Sequence, residues 1–271
     1  MRKHQRTIPL TVNCPSRDIQ LDAKPNTTVG EINDIVCTTL NIRQKYFFGL
    51  KMQKAGTFRW LKREKKVEKY KRDDNLCFIF DVKVYFIEVS QVIEESSQLF
   101  FYYKIRHLLL TGELFCPMDI AMGLGSLQLV IDNGSFLCEN DPIALKNYIP
   151  ERLLQQYSET EEELRAKLFA LYERNRDLLK EEAIVEYEKL SQDLQGFAIT
   201  FFEITNPRKT AILLGIGPYG LSIYPHDDKI NPKINFQWHE LKHIKYNDTK
   251  LTIRPAEVSK DLCFVCKTRI D

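Results

Sequence analysis

His239-Glu240-Leu241-Lys242-His243 sets two imidazoles four residues apart with a carboxylate between them. On a helix this spacing puts both rings on one face, where they ligate zinc while the glutamate acts as general base of a hydrolase. That chemistry needs a helix of adequate length and a third ligand downstream. Pro232 bounds the segment on one side, and Ile244-Lys245-Tyr246-Asn247-Asp248 returns to a strand-and-turn pattern on the other. No histidine follows His243. A zinc metalloprotease is kept only as a remote alternative. Cys263-Phe264-Val265-Cys266 is a lone C-x-x-C, whereas a zinc ribbon needs four ligands and a thioredoxin motif needs a strand-helix-strand setting. Ordinary strand cysteines account for it. Neither G-x-x-x-x-G-K-[ST] nor G-x-S-x-G occurs. No catalytic residue, metal or cofactor is assigned, and the chain is expected not to be an enzyme.

The stretch Trp60–Arg72 offers binding chemistry instead. It carries seven basic residues (Lys62, Arg63, Lys65, Lys66, Lys69, Lys71, Arg72) and two acids, a local charge of +5. The whole chain is only +2, so the remainder is −3. Charge concentrated in this way presents one face that attracts anions. Lysine-rich runs are often no more than solvated hairpins, but Trp60 opens this one and ordered-looking sequence precedes it. A rigid basic surface is expected. No nucleic-acid module is recognisable and the rest of the chain is net acidic, so a nucleic-acid partner is not expected.

Composition limits what must position these groups. With 44% hydrophobic and 28% charged residues over 271 positions, the chain is globular, of two domains or three compact modules. It has neither an apolar run long enough to span a bilayer nor the apolar core of a signal peptide. The seven cysteines are odd in number and scattered through apolar surroundings, as reduced thiols inside a cell would be.

Alternation at Ile8, Leu10, Val12 and again at Ile19, Leu21, around Pro15-Ser16-Arg17-Asp18, predicts a hairpin. Thr28 with Glu31 forms a capping box before a helix on which Ile32, Ile35, Val36 and Leu40 mark one face. Tyr46–Leu50 reads as a buried strand, Phe58–Leu61 leads into the basic run, and Leu76–Phe80 reads as a strand. This order is that of a ubiquitin-like roll.

From about Ser90 the period becomes helical, over Ser97–Leu110, Met118–Val130, a segment capped by Ser158 with Glu161, and Ala183–Leu194 up to Gly196. Strand patterns then return at Phe197–Ile204, Ala211–Ile216, Gly220–Tyr224, Ile234–Trp238, Ile244–Tyr246, Lys250–Ile253 and Leu262–Cys266. They predict an antiparallel sandwich or small barrel.

Roll, helical lobe and β sandwich in this order resemble a FERM domain, and the residues resemble the ezrin/radixin/moesin/merlin group. Tyr46-Phe47-Phe48-Gly49-Leu50 is similar to that group's WFFGL, and Trp60 to Val67 to its W-L-K-x-D-K-K-V. Glu182-Ala183, Glu186-Tyr187, Gln192-Asp193-Leu194 and Phe202-Glu203-Ile204 resemble its EA…EY…AQDL…YFEI pattern. Leu214-Gly215, Gly220–Tyr224, Asp228-Lys229, Pro232-Lys233-Ile234 and Trp238 with Glu240 follow its third lobe. The H-E-x-x-H falls on that family's W-x-E-[IL]-x-x-I element, which has no metal role.

The resemblance implies an α+β module of three lobes: a ubiquitin-like lobe over 1–88, an acyl-CoA-binding-protein-like helical lobe over 89–196, and a PH/PTB-like β sandwich over 197–271. It implies a membrane–cytoskeleton adaptor, cytoplasmic and peripheral to the plasma membrane at the cell cortex. In the family, a cleft between the first and third lobes binds a phosphoinositide head group. The matching positions are Trp60, Lys62, Lys65 and Asn247, with Lys66 and Lys250 beside them. The strand wall of the groove for cytoplasmic tails of adhesion receptors or scaffold proteins falls on His243, Ile244, Lys245, Tyr246 and Asn247. Thr249 stands where the family usually has a second lysine, Arg63 replaces an apolar residue, and the region after Val258 is shortened. The family's final third-lobe helix and actin-binding tail have no counterpart here, so actin is expected as an indirect partner only. A FERM module from a larger protein, such as a FERM-bearing tyrosine phosphatase, is the alternative.

Overall fold

The computed structural model describes residues 7–15, 17–54, 56–71, 76–138, 141–257 and 260–266. The chain divides into two compact units, 1–192 and 193–271.

The first unit begins with β1 (Ile8–Asn13), β2 (Ile19–Ala23), α1 (Val29–Thr39), β3 (Phe48–Lys54), β4 (Thr57–Trp60) and β5 (Leu76–Val82). The strands form one sheet in the order β2-β1-β5-β3-β4, with β1 parallel to β5 and the other pairs antiparallel. Alternation drives one face of the sheet inward: Leu10, Val12, Leu50, Phe78 and Phe80 are buried and close over Val29, Ile32 and Val36 of α1. The capping box expected at α1 is present, with the Thr28 hydroxyl accepting from the Glu31 N–H and the Glu31 carboxylate accepting from the Thr28 N–H. Tyr46–Leu50 is not a single buried strand. Lys45–Phe47 is a 3-10 turn with Tyr46 exposed, and pairing begins at Phe48. The turn lets Phe47 meet Phe101 edge-on at 5.2 Å, a direction an extended chain could not give both Phe47 and Phe48.

Among the described residues, five α-helices complete the unit: α2 (Glu95–Leu110), α3 (Met118–Asn133), α4 (Glu151–Gln156), α5 (Glu161–Asn175) and α6 (Lys180–Gln192). α3 is buried along successive positions from Leu124 to Ile131, as expected of a helix wrapped by others. The N-cap of α5 is Thr160 with Glu163, not Ser158 with Glu161. Both spacings satisfy the motif, and the later one places Glu161, Glu162 and Glu163 together in the first turn, where the helix dipole favours them. α6 stops at Gln192, and Gly196 beyond it takes a φ of 85°.

Helices and sheet are joined through specific groups. Phe100 lies 4.9 Å from Phe48 and 5.1 Å from Phe80. The Glu94 carboxylate accepts from the N–H groups of Arg43 and Gln44, while the Gln44 amide oxygen accepts from the N–H of Ile93. Asp81 of β5 sits almost wholly buried between the ammonium groups of Lys51 and, at 2.9 Å, Lys104 of α2. Burial alone would raise its carboxyl pKa, and the two lysines outweigh this and hold it below the ordinary value.

The second unit contains β6 (Thr200–Thr205), β7 (Ala211–Ile216), β8 (Gly220–Pro225), β9 (Ile234–Gln237), β10 (Leu241–Asn247), β11 (Lys250–Pro255) and β12 (Leu262–Cys266). All pair antiparallel in the order β10-β11-β12-β6-β7-β8-β9. Ile204, Leu214, Leu221 and Ile223 from one half of this sheet pack with Leu251, Ile253 and Phe264 from the other. Both halves therefore close on one core, as in a sandwich. β6 begins at Thr200 rather than Phe197, because Ala198 takes a φ of 59° and interrupts the extended chain.

Candidate functional site

The first half of the basic stretch is held between two buried apolar side chains, Leu61 and Val67. Between them the loop is bonded through its backbone to the start of α1. The Lys65 carbonyl accepts from the Val29 N–H and the Arg63 carbonyl from the Gly30 N–H, each at 2.9 Å, and the Val67 N–H donates to the Thr27 carbonyl at 2.9 Å. The first N–H groups of any helix lack intrahelical partners, and here the loop supplies them. Gly30 makes room for this: a Cβ there would stand 3.2 Å from the Arg63 carbonyl oxygen. The loop is thus a fixed surface.

Its cations differ in availability. Among the described residues no carboxylate pairs with Lys62 or Lys65, and Lys62 is exposed while Lys65 is half-buried. Arg63 reaches Asp34 at 3.3 Å, and Lys66 donates to the Asn26 side chain at 2.8 Å. Arg72, at the end of the stretch, lies outside the described residues.

Trp60 ends β4 opposite Lys51. Its ring rests against Gly49, where a Cβ would meet ring carbons at 3.3 and 3.4 Å. The Lys51 ammonium lies 4.6 Å from the Phe58 ring centroid and 5.9 Å from that of Trp60. Phe58 therefore belongs to this surface, though the sequence reading treated it only as a lead into the basic run. The signal was present, since Phe58 and Trp60 stand two apart and share a strand face.

The other expected residues lie in the second unit. β10 is an edge strand, paired among the described residues with β11 alone. A tight turn with Asp248 at φ 57° places Asn247 directly opposite Lys250. His243, Lys245 and Asn247 share the face of Arg254, Thr252 and Lys250. Ile244 and Tyr246 point to the opposite face, beside buried Ile253 and Leu251, yet remain 42% and 64% exposed. The five residues of the expected strand wall are thus divided: two form an apolar strip on the core side and three a polar strip with Lys250.

The structure removes the metalloprotease alternative on geometric grounds. His239 lies in a 3-10 turn, Trp238–Glu240, and His243 in β10, so no helical face carries both rings. The Glu240 carboxylate accepts from the Gln237 N–H at 2.7 Å and caps its own turn. Trp238 likewise lies in this turn, past the end of β9, and its indole N–H donates to the Pro218 carbonyl at 2.8 Å. Cys263 and Cys266 are free thiols, and their three-residue offset in β12 sends them to opposite faces.

Models of three parts of one family match nearly the whole chain. The FERM N-terminal domain matches residues 16–73, the FERM central domain 88–202 and the FERM C-terminal PH-like domain 206–270. Among solved structures, the complex of the FERM and C-terminal domains of Drosophila merlin has a TM-score of 0.88 at 27% identity, covering 96% of this chain and 89% of that one. The Dictyostelium discoideum myosin VII MyTH4-FERM MF2 domain gives 0.76 at 16% identity, covering 96% and 56%. The human myosin 7b C-terminal MyTH4-FERM domain, solved with the harmonin-a PDZ3 domain, gives 0.70 at 18%, covering 95% and 56%. The chain spans little more than half the length of the two myosin chains, and at these identities they share its fold alone.

Proposed function

This chain belongs to the FERM family, and from that premise we propose that it is a non-catalytic adaptor linking anionic membrane and cytoplasmic protein segments to the cortical cytoskeleton. The merlin structure is of a FERM domain with a C-terminal domain, and the myosin 7b structure holds a PDZ domain, so protein partners of more than one kind suit this fold. The three lobes are taken as 1–88, 89–196 and 197–271. Phosphoinositide is the lipid ligand, with Trp60, Lys62, Lys65 and Lys66 of the first unit as its contacts; Asn247 and Lys250 of the second unit are proposed as head-group contacts on the family resemblance alone. Cytoplasmic tails run along β10, from His243 to Asn247, where an edge strand offers unpaired backbone groups. The protein works at the cytoplasmic side of the plasma membrane.

One observation carries the lipid assignment: the loop from Leu61 to Val67 is tied through its backbone to the start of α1, and two of its cations, Lys62 and Lys65, have no carboxylate partner among the described residues. A preordered cationic surface binds multivalent phosphate without first ordering a loop. Co-sedimentation with vesicles containing or lacking phosphoinositide tests it. Binding that rises with phosphoinositide and is lost on Lys62→Asn/Lys65→Asn is expected. Equal pelleting of parent and variant would remove the assignment.

A further inference from the structure

The basic loop continues directly from the β3–β4 hairpin, whose outer face carries two aromatic rings. Phe58 is 56% and Trp60 37% exposed, and both lie on the strand face of Lys51. Leu61 is buried while its neighbours Trp60 and Lys62 are exposed, so Phe58, Trp60 and Lys62 follow one another along one side of the chain. β4 is the edge of its sheet, and among the described residues no strand pairs beyond it.

The rings are also held in place. Lys51, over both, has its ammonium committed to buried Asp81, so it serves as a support for the aromatics rather than as a free surface charge. Trp60 leans on Gly49. A large apolar ring propped outward at a sheet edge is a liability for solubility, and natural edges normally carry charge instead.

We propose that Phe58 is a membrane wedge: the β3–β4 hairpin sets the Phe58 and Trp60 rings into the interfacial layer of an anionic bilayer while Lys62 and Lys65 hold its phosphates. The inference rests on the lipid reading above and adds a headgroup-independent contact to it. Charge complementarity selects a bilayer as occupant, since the positive excess of the chain lies in the thirteen residues that begin at Trp60. Size agrees. A stable protein interface covers about 800 Å² per partner, far more than two half-exposed rings supply. Interfacial anchoring needs only one or two aromatics backed by basic charge.

The test uses the full chain on phosphatidylcholine vesicles with phosphatidylserine, with and without phosphoinositide. Phe58→Ser should weaken binding about fivefold on both anionic compositions, the share of a phenylalanine's transfer free energy that an exposed half-ring represents. Charge is unaltered, so the slope of log affinity against log salt should not change. Phe58→Leu should stay within about twofold of the parent, because apolarity rather than ring chemistry is needed. In a Trp238→Phe background, brominated acyl chains should quench Trp60 fluorescence. If the parent binds and Phe58→Ser binds equally well, the wedge is wrong and the headgroup assignment stands. If Phe58→Ser loses affinity only when phosphoinositide is present, Phe58 is part of a headgroup pocket and the wedge is again wrong. If the parent fails to bind any anionic vesicle, the lipid reading and the wedge fall together.

Discussion

The carbonyl of Arg63 accepts a hydrogen bond from the N–H of Gly30 at 2.9 Å, tying the basic loop to the second residue of α1. Gly30→Val should force these apart, since even a Cβ would stand 3.2 Å from that oxygen and β-branching adds bulk. Losing this bond and its neighbour at Val29 costs about 1–3 kcal/mol. Urea unfolding should show the loss, and vesicle affinity should fall although no charge has changed. Unchanged affinity would mean that loop rigidity is irrelevant to binding.

Neutralising Lys62 and Lys65 together should remove about 2 kcal/mol of membrane affinity, on the order of thirtyfold at physiological salt. Adding Lys66→Asn should contribute less than either, because its ammonium already donates to Asn26. Asn247→Ala should weaken phosphoinositide binding and spare phosphatidylserine binding, since an amide supplies a hydrogen bond and no net charge. Co-sedimentation across the variant series checks each step.

Glu188 on α6 is buried, and neither of its carboxylate oxygens has a hydrogen-bond partner among the described residues. Burial pushes its pKa up to about 9 from 4.5, so it is folded in as the neutral acid. Between those values the unfolded chain ionises while the folded one keeps its proton, so stability falls as pH rises through the window. By pH 7 the loss is about 3 kcal/mol. Glu188→Leu should therefore stabilise the first unit by roughly that amount at pH 7, with the gain shrinking towards pH 4.5. Urea midpoints at pH 5 and pH 7.5 that differ equally between parent and variant would contradict this.

Asp81 shows the opposite sign. Its pKa is lowered in the folded state, so its contribution is present above the unfolded value and lost as pH falls through the folded one. Asp81→Ala strands Lys51 and Lys104 in a largely buried place and should cost about 3–5 kcal/mol. It should also release Lys51 from beneath the Phe58 ring, which would appear as weaker vesicle binding by the folded fraction. Thermal melts at neutral pH measure the first effect.

Elements with long, unambiguous periods were legible in the sequence. α2 and α3 start within two residues of where the helical pattern begins, and β7 and β12 span the stretches their alternation marks. Short-range ambiguity hid the rest. Two overlapping capping spacings compete at 158–163, and the motif alone does not choose between them; the structure takes Thr160, with three glutamates in the first turn. Tyr46-Phe47-Phe48 has a strand's composition, but the aromatic contacts of Phe47 with α2 require a turn. The lysines of the candidate site were visible as charge. Their inequality was not, because Asn26 and Asp34, which engage Lys66 and Arg63, lie about thirty to forty residues away in sequence. Nor could alternation reveal that Ile244 and Tyr246 stay exposed on the core side of their sheet.

β12 is made after every other strand of the second unit's sheet, yet it lies in the interior, between β11 and β6. Among the described residues it joins β6 through two residue pairs, Val265 with Thr205 and Cys266 with Ile204. During synthesis, the ladder from β6 to β9 and the hairpin of β10 with β11 are therefore complete before β12 can pair with either. Pairing Val265 with Thr205 then closes a long loop across the whole sheet. Closing so long a loop is slow, and non-local strand pairing is the slowest kind of step for a chain of this size. Nascent chains stalled before Leu262 should be protease-sensitive across the whole of 200–255, and protection should arrive in a single step once the last strand is free.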